Sequence, residues 1–232
     1  MADDIGLLEA IASTRAIRRY SDEPVTDQDL ATILFSATRA PSGSNRQPFR
    51  FLVLRDGDRA SEAKRLVGDA GKRMWSEKRK NDGYDEGSGA VANSPKARMA
   101  ASMEHYVANL HRVPVMILAG LVRYREPNAY EGASVYPACQ NLLLAARALG
   151  LGGVMMHWHT FVEDELRQLL EIPDEVFVAA TITLGHPQGG HGPVRRRPIA
   201  ELVFDGGWGD TATWAVDPEG TRFTRAGPPS KS

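Results

Sequence analysis

Cysteine is nearly missing from this chain: of 232 residues only Cys139 carries a thiol, which excludes an intramolecular disulfide and a thiolate metal cluster. Net charge is nearly missing too. The 28 basic and 29 acidic residues sum to −1 at pH 7, so nothing global drives the chain toward nucleic acid or an anionic membrane. Long apolar runs are absent; the strongest, Val113 to Val122, is about half the roughly 20 residues a membrane-spanning helix needs and reads as a buried strand. There is no Gly-x-Gly-x-x-Gly after a strand and no Gly-x-Ser-x-Gly elbow, and Gly68-Asp69-Ala70-Gly71-Lys72 has the wrong spacing for a phosphate loop. The opening Met1-Ala2-Asp3-Asp4 is acidic where a secretory signal is basic, and the single thiol suits a reducing compartment, so the expected address is the cytoplasm.

What is present reads as one domain over residues 1–232 with mixed α and β elements. Leu7, Leu8, Ile11 and Ala12 recur at helical spacing behind Asp3 and Asp4, predicting a helix over 3–14. A second helix starts near Thr26, whose hydroxyl is placed to cap while Asp29 sits three positions on, and it stops at Pro41-Ser42-Gly43. Strands are expected at 49–54, 113–122, 152–157 and 177–184, with a nearly all-apolar helix over 138–149 and a short amphipathic one over 163–170. Residues 69–108 combine a basic helical piece (Lys72, Arg73, Lys78, Arg79, Lys80) with Gly83, Gly87, Gly89 and Pro95; no apolar period shows in the middle, so a mobile, core-poor, lid-like insertion is expected. Beyond Leu202 a glycine-rich extension, about 203–232, carries Trp208 and Trp214 and is expected to dock, on this chain or a partner subunit.

Two arginine clusters stand out in a charge-balanced chain: Arg15, Arg18 and Arg19 after the first helix, and Arg195, Arg196 and Arg197 before Pro198. Guanidinium forks match phosphate oxygens in pairs, so the clusters suit a local phosphate site, while a solvated arginine face is the plainer alternative. The loop Ala40-Pro41-Ser42-Gly43-Ser44-Asn45-Arg46-Gln47-Pro48-Phe49 offers small residues, amides and hydroxyls between two prolines, so its backbone can approach a planar ligand. His157 and His159 would share one face of a strand, but no third ligand is arranged with them and no metal site is expected. Cys139 sits inside the apolar helix and reads as core.

Taken in order, Arg15-Ala16-Ile17-Arg18-Arg19-Tyr20, the 40–49 loop, Leu149-Gly150-Leu151-Gly152-Gly153 entering a strand, and Leu184-Gly185-His186-Pro187 followed by Arg196-Arg197-Pro198 resemble the FMN-dependent nitroreductase family. The resemblance covers nearly the whole chain. It implies an α+β, three-layer fold with a central mixed β-sheet, built as an intertwined homodimer with FMN at the subunit interface. Position by position, Arg15, Arg18 and Arg196 would hold the FMN phosphate and the Ala16 backbone would lie alongside the flavin. Pro41, Ser42, Gly43 and Asn45 would come from the other subunit, with Ser44 facing substrate. Met155, Met156 and His157 match the strand that passes the reactive flavin edge; many relatives have small or hydroxyl residues there, so a backbone N–H is the expected donor to flavin N5.

The implied chemistry is a ping-pong cycle in which NADH or NADPH reduces the flavin and a nitroaromatic, quinone or similar electron-poor acceptor reoxidises it, with no catalytic side chain required. Three alternatives stay open. A dehalogenase resembling iodotyrosine deiodinase would clamp a zwitterion with lid groups of the types of Glu77, Lys78 and Tyr84. An enzyme resembling dimethylbenzimidazole synthase would have an acidic residue where Ala16 stands. A non-catalytic flavin-binding protein would use Met155, Met156 and Trp158 to block the flavin face.

Overall fold

The computed structural model describes residues 5–224. Helix α1 spans Leu7–Ser13; the expected start at Asp3 and Asp4 lies outside the described residues. Helix α2 spans Asp27–Ala37, and Thr26 caps it through the spacing seen in the sequence: its Oγ1 accepts from the Asp29 N–H at 3.0 Å and donates to the Asp29 carboxylate at 2.7 Å. There follow β1 (Phe49–Leu54), α3 (Asp58–Asn81), α4 (Pro95–Asn109), β2 (Val115–Val122), α5 (Tyr136–Ala148), β3 (Gly152–Met156), α6 (Glu163–Leu170) and β4 (Val176–Gly185).

The four strands form one sheet in the order β1-β2-β4-β3. Every neighbouring pair is antiparallel, where the family resemblance implied a mixed sheet. The reason lies in the connections. The α3–α4 hairpin returns the chain to the end of the sheet it left, so β1 and β2 run oppositely. A single helix, α5, carries the chain from β2 to β3, which do run the same way, but β4 inserts between them and separates the parallel pair.

Strand alternation builds a core on each face. On one side Val115, Ile117, Ala119 and Leu121 of β2 pack with Ala180, Ile182 and Leu184 of β4 against Leu30, Ile33 and Ala37 of α2 and Ala138, Cys139, Leu142 and Ala146 of α5. On the other, Met116, Leu118, Val154, Met156 and Val178 pack against α3, α4 and α6. The result is the expected three layers. Cys139 is fully buried, and burial pushes its thiol up to about 12, so it stays a neutral core residue.

The 69–108 stretch departs from expectation. It comprises the second half of α3 and nearly all of α4, and Ala70, Trp75, Ala100, Met103, Tyr106 and Val107 are buried in the second core. Its period was hidden because α3 packs largely through small residues: Ala60, Ala63, Val67, Gly68, Ala70 and Gly71 keep helical spacing but carry little hydrophobic signal. Gly71 shows why: a Cβ there would sit 2.4 Å from Cε3 of Trp158. The C-terminal segment forms bridges between Phe204 and Thr211 and between Arg196 and Phe223. Trp208 and Trp214 stay 95% and 63% exposed, touching their own segment: Trp208 lies beside Phe204 with ring centroids 5.0 Å apart and Trp214 Nε1 donates to Asp205 at 2.8 Å, while Ala212 and Ala215 are buried; residues 225–232 of that extension lie outside the described residues. No described helix is long and apolar enough to cross a membrane.

Candidate functional site

The arginine segment after α1 is extended and laced onto the far edge of the sheet. Ile17 N–H donates to the Gly153 carbonyl at 2.9 Å, Gln188 N–H to Arg19, and Ser21 N–H to His186. Ile17 turns inward, and the Tyr20 hydroxyl bonds the Ile17 carbonyl at 2.7 Å and Thr183 Oγ1 at 2.9 Å. With those residues anchored, the neighbouring arginines project outward along a cavity of about 620 Å³. Its wall includes Arg15, Ala16, Arg18, Arg19, Arg98 and Arg196. No carboxylate lines it, and among the described residues none of these five arginines is in an ion pair. Arg15 is steadied by donation to the Gly190 carbonyl at 2.6 Å. Five guanidiniums with no ion-pair partner among the described residues surround one cavity, and such forks match phosphate oxygens in pairs.

Four of these residues were anticipated; Arg98 was not. It lies on α4 in a stripe with Pro95, Met99 and Ser102, a spacing of three, four and seven that puts all four on one helix face. The signal was legible once Ser94 is read as a cap with proline at the first helical position: Ser94 Oγ accepts from the Ala97 N–H at 3.0 Å.

Arg18 and Met99 also line a second cavity of about 560 Å³, so the two spaces adjoin. Here the wall is apolar and rich in thioethers and rings: Met74 and Trp75 of α3, Tyr84 of the α3–α4 connection, Met103 and Tyr106 of α4, and Met155, Met156 and Trp158. His157, Lys78, Val154, Thr160 and Phe161 also line it. Because β3 is an edge strand, part of its backbone faces away from β4 beside this space. The structure thus brings Arg15, Ala16, Arg18, Arg196, Met155, Met156 and His157 to one continuous surface.

The two histidines separate. Strand β3 ends at Met156, and a single helical turn over Trp158–Phe161 rotates His159 into the core, where Nε2 lies 2.9 Å from the Val178 carbonyl and Nδ1 lies 3.0 Å from Thr181 Oγ1. Burial pushes its pKa below the ordinary 6.5, so the neutral ring donates from Nε2 and accepts from Thr181. His157 stays exposed, its ring edge-on to Tyr136 with centroids 6.1 Å apart. The expected shared strand face is therefore not formed, and among the described residues no group of three His, Cys, Asp or Glu could hold a metal ion.

Pro41, Ser42, Gly43, Ser44 and Asn45 line neither cavity. They form an exposed, tightly tied loop: Ser42 Oγ accepts from the Gln47 N–H at 2.9 Å, and the Asn45 N–H donates to the Ser42 carbonyl at 2.9 Å. Ser44, Asn45 and Gln47 hold φ near +50°, left-handed conformations that cost about 1–3 kcal/mol each and cluster at ligand clamps.

Comparison with known proteins gives the family. The Nitroreductase family model matches residues 11–186. An NADH dehydrogenase from Thermus thermophilus is 29% identical over 84% of this chain and 93% of its own length. An iodotyrosine deiodinase from Thermotoga neapolitana is 26% identical over 85% of this chain and 95% of its own. Among solved structures, a nitroreductase in complex with FMN from Desulfovibrio desulfuricans is 30% identical, with a TM-score of 0.63 over 87% of this chain and 96% of that one. With the arginine cavity, the β3 edge and the Leu184-Gly185-His186-Pro187 turn all inside or bordering the matched span, the chain belongs to the Nitroreductase family of oxidoreductases.

Proposed function

We propose that this chain is an NAD(P)H-dependent FMN oxidoreductase that reduces nitroaromatic, quinone or similar electron-poor acceptors. The carrying observation is the cavity lined by five arginines without carboxylate partners among the described residues, adjoining the apolar space beside β3. The residues fit FMN: Arg15, Arg18, Arg98 and Arg196 would hold the phosphate, Ala16 would present backbone to the ring system, and Met155, Met156 and His157 would border its reactive edge. When bound, FMN supplies two-electron chemistry between a nicotinamide donor and an acceptor that occupy the same space in turn. The chain's own work is anchoring, orientation and exclusion of water. An unused β3 backbone N–H at that edge is the chain's candidate hydrogen-bond donor toward the ring.

The 41–45 loop supports a homodimer. Within one chain it lines neither cavity, and its strained, exposed backbone is suited to completing the site of a second copy. Exposed Leu7, Leu8, Ile11 and Phe35 supply apolar surface for that contact. The deiodinase reading is less favoured: Lys78 and Tyr84 line the apolar cavity but Glu77 does not, so the wall offers no carboxylate to a zwitterion's ammonium group. The purely flavin-binding reading is also less favoured, because Met156 and Trp158 are tucked into the core and leave the cavity open.

Anaerobic stopped-flow absorbance tests the proposal. FMN-loaded protein is expected to bleach with NADH or NADPH and to recover its colour on adding a nitroaromatic or quinone. Failure to take up FMN, or bleaching that no acceptor reverses, refutes it.

A further inference from the structure

The apolar cavity has a charge bias that the family assignment does not supply. Its charged wall residues, Arg18 and Lys78, are both cations; with Arg18 shared with the arginine cavity and given to the phosphate, Lys78 is the wall cation left to an acceptor, and the remainder is thioether, aromatic ring, Val154, Thr160 and His157. Two carboxylates of the α3–α4 layer are engaged by other groups. Glu104 accepts from Trp75 Nε1 at 3.0 Å and from Arg79 at 2.9 Å, and Asp85 accepts from Arg79 at 2.8 Å. Asp82 pairs with Lys78 at 2.6 Å from beyond the end of α3 and is not part of the wall. Lys78 has three N–H donors, so two remain after that bond.

The segment that carries the Lys78 partner Asp82 is tied down. Trp75 packs edge-on against Tyr84 with centroids 5.0 Å apart, the Lys96 ammonium lies 5.4 Å over the Tyr84 ring, and Lys96 donates to the Asp82 carbonyl at 2.9 Å. This cluster ties the end of α3 to α4 at the cavity mouth. Thioethers and rings accept flat apolar bodies of varied outline, while a charge entering among them loses water and meets positive potential.

We infer that this cavity selects flat aromatic acceptors bearing an anionic substituent over cationic ones, with Lys78 as the residue that reads the charge. The inference rests on the oxidoreductase reading above for what happens after binding. For a nitro acceptor the balance is Ar–NO2 + NAD(P)H + H⁺ → Ar–NO + NAD(P)⁺ + H2O: the nicotinamide supplies two electrons, and one nitro oxygen leaves as water.

Three probes separate charge from ring electronics because an aliphatic spacer insulates the ring: 4-nitrophenylacetate, 4-nitrophenethyl alcohol and 4-nitrophenethylamine. Calorimetric titration of FMN-loaded protein at pH 7 reads Kd for each, and steady-state assays with NADH or NADPH read kcat/KM. Expected is acid tightest and amine weakest, about three- to tenfold per step, the scale of a partly exposed charge contact. Lys78→Met should bring the acid's Kd to that of the alcohol, Lys78→Arg should keep the order, and Lys72→Met, the same charge change outside the cavity, should leave the ratio unchanged. If Lys78→Met unfolds, the order in the unmodified protein and in Lys78→Arg still decides. Equal binding of acid and amine, or an acid preference that survives Lys78→Met, overturns the inference. The expected binding order without turnover of any probe supports the charge selection and counts against the reductase reading alone.

Discussion

Replacing Arg98 with alanine removes one of the five guanidiniums around the 620 Å³ cavity while disturbing little else, since among the described residues its side chain bonds the Asn93 carbonyl just before the same helix. At 4 Å a unit charge pair is worth about 4 kcal/mol at an effective dielectric of 20. Arg98 is exposed and shares its anion with four other cations, so a smaller share, about 1–2 kcal/mol, is the reasonable expectation. That converts to an FMN Kd raised about five- to thirtyfold. The loss should also depend on salt: the Debye length falls from about 30 Å at 0.01 M to about 3 Å at 1 M, so the gap between variant and unmodified protein should narrow. Flavin fluorescence titration at both ionic strengths reads both quantities. Arg73→Ala, on the exposed face of α3 and lining neither cavity, is the charge-matched control and should bind FMN normally. If Arg98→Ala and Arg73→Ala bind alike, or the Arg98 loss is indifferent to salt, the cavity is not a phosphate site.

Other consequences concern the scaffold around the site. Gly153→Ala would place a Cβ 2.6 Å from both the Thr183 carbonyl and Leu184 Cδ2, and since that carbonyl belongs to β4 it cannot yield; a loss of about 1–3 kcal/mol in urea unfolding is expected. Weaker FMN binding should accompany it, because Gly153 anchors Ile17 in the arginine segment; an unchanged unfolding midpoint contradicts this packing. His159 has a folded pKa below its ordinary 6.5, so on acidification the unfolded chain takes up the proton first and stability falls as pH drops through 6.5 toward the folded value. His159→Gln removes that titration, and its stability deficit should shrink between pH 7 and pH 5; parallel stability curves for the two proteins would rule the mechanism out. Thr26→Ala deletes the α2 cap and should cost about 1 kcal/mol, measured by thermal or urea denaturation.

The elements legible in advance share one property: their signal is local. The Thr26 cap, the β-branched run of β4 and the charged face of α6 all lie within a few residues of what they determine, and α6 occupies the expected 163–170. The α3–α4 layer was misread as core-poor because alanine and glycine bury well only where a partner is close. For Gly71 that partner is Trp158, far away in the chain. His159 was likewise ambiguous until one turn of helix aimed it at Val178 and Thr181.

The same division holds for the site. Residue chemistry was readable from the order of the chain: two arginine clusters, a small-residue loop and a glycine entry into β3 carry the family identity, because anion binding and close backbone approach demand those side chains. Convergence was not readable. That Arg98 of α4 joins Arg15 and Arg196, that Lys78 faces a cavity free of carboxylates while Glu77 does not, and that the 41–45 loop stays away from its own chain's cavity all depend on contacts between distant segments. Local backbone preferences place capping groups and strand faces, but only packing of the helical layers on the sheet decides which charges end up sharing a space.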